Sequence, residues 1–176
     1  MWKMFINADR EARLTLIGGL LIKFATGLAA IWGRCNIYFF STLKHQGLQI
    51  DESTNSIVLL FGLIPSCFAV LAANPFARLV GYKSAVRIAA LLFILSPMVL
   101  NYVFNKITFT IFWIVLPLVA FCLGAIPVLN CLWTQFPRDL SKVSGLAVLF
   151  FSLGMIFWNL VFLFIANPNN IKAEID

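Results

Sequence analysis

The sequence predicts an all-α fold: an integral membrane bundle of five transmembrane helices forming a single membrane domain over residues 1–176. Three observations predict it. The chain is 61% hydrophobic and only 11% charged, against the roughly 25% charge that covers a soluble domain. Its mean hydropathy is +0.94, so lipid must solvate much of its surface. The apolar residues fall in five long runs, and a helix crossing a hydrocarbon layer of about 30 Å needs roughly 20 such residues.

The first run, residues 14–43, is long enough to tilt. The second covers 56–77, the third 88–104, the fourth 108–133 and the fifth 145–166. The connections are short; the longest, near residues 44–55, is polar and carries Asp51 and Glu52. Pro65, Pro97, Pro117 and Pro127 fall inside runs, where membrane helices tolerate the kinks that neighbouring helices re-satisfy. Gly18, Gly19, Ala25, Gly27, Ala29 and Ala30 line the first run, and such small residues let helix backbones approach closely.

Charge sets an expected orientation. Lys3, Arg10, Arg13, Arg78, Lys83, Arg87, Arg138 and Lys142 fall on one side of the five runs, whereas Lys44, Lys106 and Lys172 fall on the other. Eight against three places the amino terminus on the cytoplasmic or matrix side. The net charge of +6 is thereby explained by topology. Basic residues dispersed along one membrane face also do not make a nucleic-acid reader. The amino-terminal stretch MWKMFINADREAR carries Asp9 and Glu11 and no short apolar segment ending in a cleavage site, so the first run is expected to serve as its own insertion signal.

Two cations, Lys23 and Arg34, lie within the first run, and no run contains an acid. A cation in the membrane normally faces a partner or a cavity. Arg34 lies late in the run and can snorkel toward the interface. Lys23 is deeper, so it is a candidate for contact with an anionic ligand, an anionic lipid headgroup or an acid on another subunit. Tolerated burial near a partly wet region is the plain alternative. No enzyme chemistry is expected. His45 is the single histidine and sits in a polar loop, no acidic pair shares an apolar run, and no glycine-rich phosphate loop occurs. Cys35, Cys67, Cys122 and Cys131 form no CxxC pair, so neither a metal site nor a cofactor is expected.

The segment Asn74-Pro75-Phe76-Ala77-Arg78-Leu79-Val80-Gly81-Tyr82-Lys83, between the second and third runs, resembles the cytoplasmic loop motif of the major facilitator superfamily, Gly-x-Leu-Ala-Asp-Arg-x-Gly-Arg-Lys. Gly18-Gly19, Gly27, Trp32-Gly33 and Tyr38 resemble the first helix of that superfamily's oxalate/formate-antiporter and monocarboxylate-transporter-like branch. Trp133, Phe136-Pro137, Ser144-Gly145, Gly154 and Asn167-Pro168-Asn169-Asn170 are similar to protozoan members. The resemblance implies one incomplete half of a twelve-helix fold, built from inverted three-helix repeats. The departures weigh against ordinary transport. The motif's acid is Arg78 here and its next basic position is Leu79, so the usual gating charge network cannot form. Two positions facing the substrate path in that branch are Ala30 and Arg34.

The first expectation is therefore a non-transporting accessory subunit of a larger membrane complex, with other membrane subunits and lipids as partners. An organelle inner membrane, such as a mitochondrial one housing respiratory assemblies, fits the missing cleavable signal and the protozoan character of the resemblance. The second is a half-size transporter of small organic anions, working as a dimer or with a partner chain, in which Lys23 and Arg34 supply positive charge. The third is a fragment of a longer carrier.

Overall fold

The computed structural model describes residues 9–31, 52–99, 102 and 106–166. Helix α1 is Arg10–Thr26, continued by a 3-10 turn at Gly27–Ile31. Helix α2 is Glu52–Val80 and α3 is Tyr82–Met98. Helix α4 starts with the turn Lys106–Phe109, widens into π-helical turns over Thr110–Val115 and continues as Leu116–Gln135. Helix α5 is Leu140–Val161, ending in π turns at Phe162–Ala166.

Four of these helices are long and apolar enough to cross a membrane: 22 residues from Arg10, 21 from Leu60, 29 from Ile107 and 25 from Leu140. Helix α3 has 17 residues, about 26 Å at 1.5 Å per residue, and falls short of that set. Five helices are present as expected, and four of them have spanning length among the described residues. Lys83 and Arg87 stand in the opening turns of α3, so a hydropathy reading begins too late, at residue 88. At its other end Tyr102 lies in a turn, its N–H bonded to the Val99 carbonyl, rather than in a helix reaching residue 104.

The other boundaries shift for equally local reasons. Asp9 accepts the Ala12 N–H at 2.7 Å, a side-chain cap that starts α1 four residues before its apolar run. Helix α2 extends to Val80, so most of the segment 74–83 is helix and not loop. The break is Gly81 alone, at φ 87° and ψ 140°, a backbone that favours glycine. Helix α5 starts at Leu140, five residues before the expected 145, directly after the turn at Phe136–Asp139. The π turns of α4 run up to Pro117, whose ring would crowd the Trp113 carbonyl in a regular α-helix and which has no N–H to donate.

The bundle is inside-out relative to a soluble protein. Its interior is made largely of small residues: Ala73, Ala77 and Ala85 are 0% exposed and Ala120 and Ala147 nearly so. The large apolar side chains face outward, among them Phe61, Phe68, Leu71 and Leu153. In water that surface would be untenable. Together with four helices of spanning length, it is consistent with an integral membrane protein.

Helix α4 is the hub, packing against α1, α2 and α3, while α5 packs against α1. Four seams have a glycine in close contact with the facing helix. A Cβ on Gly19 would lie 2.9 Å from Leu132, one on Gly62 2.6 Å from Ile114, and one on Gly124 3.1 Å from Ala89. At the α1–α5 crossing, a Cβ on Gly27 would meet the Gly154 backbone at 2.6 Å, and one on Gly154 would meet the Phe24 carbonyl oxygen at 2.0 Å. Phe24 and Phe157 rings, with centroids 5.3 Å apart, flank that crossing. Lipid is as apolar as these side chains, so close backbone approach and dispersion hold such helices together.

Candidate functional site: a cationic groove between α1 and α3

Both α1 and α3 pack on α4 and leave a groove between them. Its wider part is a chamber of about 370 Å³ whose walls include Glu11, Thr15, Gly18, Lys83, Arg87 and Cys131. Behind it lies a narrower chamber of about 90 Å³, lined by Lys23, Thr26, Phe93, Phe121 and Ala125 among others. Ile22, Val86 and Val128 line both chambers, which makes the groove continuous.

Lys23 turns into this groove. Its Nζ donates to the Ala125 carbonyl of α4 at 3.4 Å, a long bond for an ammonium group. Thr26 uses its hydroxyl on the Lys23 carbonyl at 3.0 Å. The remaining lining of the inner chamber is alanine, glycine, aliphatic and phenyl. The Lys23 side chain thus points at a backbone acceptor inside the bundle.

At the mouth, Lys83 donates to Glu11, tying the start of α3 to the start of α1. The contact has a local cause. Lys83 stands in the first turn of α3, where the helix dipole disfavours a cation. No acid occupies that turn, and the Glu11 carboxylate supplies the missing counter-charge. Its hydrogen bond and charge hold the Lys83 ammonium above the usual lysine range. A lysine raised in the folded state adds stability at neutral pH, and that stability disappears as pH rises through the raised value. Both groups are largely exposed, so salt screens them. Glu11→Gln is expected to lower the melting temperature slightly in dilute buffer at pH 7. It should have no effect in about 1 M salt or above the lysine titration, as read by thermal unfolding in detergent.

The other predicted positions are placed as follows. Asn74 accepts the Tyr82 hydroxyl at 3.3 Å across the Gly81 break. Arg78 is exposed in the last turn of α2. Trp133 donates its indole N–H to Ser144 at 2.8 Å, joining the end of α4 to the start of α5, and Pro137 lies in the turn between them. Gly27 and Gly154 meet, whereas Gly18 and Gly145 face open space. Arg34, Trp32, Gly33, Tyr38, Asn167 and Pro168, with Cys35 and His45, lie outside the described residues. Among the described residues no three His, Cys, Asp or Glu side chains gather as a metal site. Sequence reasoning counted Arg87 only as a topological charge. Its place on the groove depends on the spacing of α1 and α3, for which no local motif exists.

No family model, curated protein or solved structure matches this chain. What fold and groove define is a class: an apolar helical bundle with four helices of spanning length, small residues inside and cations along one groove.

Proposed function

We propose that the chain is a non-transporting accessory subunit embedded in a larger membrane assembly. Its ancestry in this reading is the amino-terminal half of a major-facilitator-type carrier. Its amino terminus faces the cytoplasm or matrix, and the mitochondrial inner membrane is its home. The observation that carries the proposal is Arg78, which stands where the carrier motif has its acid. It is a helical residue facing outward, with no ion pair among the described residues, whereas the acid of a carrier belongs to a gating charge network.

Gentle solubilisation of native membranes tests this. The chain is expected to co-migrate with a multi-subunit particle, and a particle of one or two copies would contradict it.

One observation favours the second reading, a half-size carrier of small organic anions: Lys23 places a cation on an internal groove. Under that reading the purified chain in liposomes, alone or with one partner, moves a mono- or dicarboxylate. Under the accessory-subunit reading its flux equals that of empty liposomes.

A further inference from the structure

We propose that the groove between α1 and α3 seats an anionic phospholipid, its phosphate drawn to Arg87 and Lys23 and an acyl chain lying along the groove's exposed apolar lining. The charges along the groove are asymmetric. At the mouth, Lys83 is engaged by Glu11. Arg87, in the wall of the wide chamber, has no carboxylate partner among the described residues, and neither has Lys23. Lys23 has three N–H donors and one long bond to a carbonyl. Arg87 lines the wide chamber and Lys23 the inner one, so an anion entering the groove would meet two cations without a carboxylate partner among the described residues, one of them drawn into an apolar wall at a desolvation cost.

The shape of the groove selects the kind of anion. Behind Lys23 the lining is Phe93, Ile94, Ala120, Phe121 and Gly124, which offers nothing to a hydrophilic ligand and suits hydrocarbon. A ligand matching both parts has one anionic group and an apolar tail. The groove also lies open to the surroundings of the bundle. Leu14 and Ile94 line it and are 60% and 58% exposed, and the neighbouring Leu21 and Leu91 are 59% and 57% exposed. A lipid can therefore enter sideways, its head near the basic end of the bundle where Arg10, Arg13 and Lys142 also lie exposed. Basic recesses between membrane helices are suited to phospholipid headgroups for this electrostatic reason. The inference does not rest on the accessory-subunit reading, because it concerns the isolated chain.

The test measures lipid retention by the full chain in mild detergent, by native mass spectrometry, with phosphatidylglycerol and phosphatidylcholine of identical acyl chains. Phosphatidylglycerol is expected to bind about tenfold more tightly, from one to two desolvated cation contacts. Arg87→Gln and Lys23→Met should each remove most of that preference. Arg138→Gln, at the same end of the bundle but off the groove, should keep it. Arg87 is exposed, so its variant folds and decides the matter even if Lys23→Met does not. Equal binding of the two lipids would overturn the proposal, as would a loss in Arg138→Gln equal to that in Arg87→Gln. Displacement of the lipid by saturating glycerol phosphate would assign the groove to a free anion instead, and so would also overturn it.

Discussion

Gly154→Leu is expected to abolish the folded bundle. The position leaves no room for any side chain: even a Cβ would stand 2.0 Å from the Phe24 carbonyl oxygen and 3.0 Å from the Phe24 Cα. Those are backbone atoms of α1, so relief requires moving the helix. Gly27 faces the same contact from the other side, with the Gly154 carbonyl carbon and the Met155 nitrogen both at 2.6 Å. Forcing the two helices apart forfeits dispersion along the whole crossing, including the Phe24–Phe157 ring contact. Overpacking of a tight core typically costs about 1–3 kcal/mol, and a backbone clash belongs at or above the top of that range. The control is Gly145→Leu on the same helix, whose Cβ meets nothing within 4 Å. It should stay within about 0.5 kcal/mol of the native protein. Monodispersity and melting in detergent read both. Equal behaviour of the two variants would refute the crossing.

Leu132→Ala should be the most damaging truncation at the α1–α4 seam. Leu132 is 0% exposed, and its Cδ2 lies 2.9 Å from where a Gly19 Cβ would sit. The side chain fills the space that Gly19 leaves. Removing it opens a cavity and should cost about 2–4 kcal/mol, read by reversible unfolding in mixed micelles. Gly19→Ala alone should also destabilise, because its methyl group runs into Leu132. The combination should cost less than the sum of the two, with a coupling of at least about 0.5 kcal/mol, because the new methyl then enters the vacated space. Strict additivity would place the two residues apart.

The helices were legible in the sequence and their ends were not. A run of apolar residues is visible to any hydropathy average, but caps are single residues. Asp9 starts α1 before its apolar run, and Gly81 alone separates α2 from α3. Lys83 and Arg87 hid the first turns of α3, which starts at Tyr82 and not at residue 88. Gly27 and Gly154 were recognisable as small residues in apolar helices. That they touch each other is a matter of tertiary geometry that no local pattern encodes. Lys23 stood out as a buried cation, yet its acceptor is the Ala125 carbonyl, and a backbone oxygen carries no side-chain signature. The groove escaped detection because it is a space between helices, defined by how α1 and α3 both lean on α4.

The inside-out bundle is the claim on which the rest stands, and carbene labelling from within the bilayer tests it most directly. A lipid-soluble photoreagent is activated in proteoliposomes of the native chain, and the labelled residues are mapped by peptide mass spectrometry. Phe61, Phe68, Leu71 and Leu153 are expected to be labelled, while Ala73, Ala85, Ile114 and Leu132 are spared. Label on the second group, or an outward set reached only by a water-soluble reagent, would contradict the account.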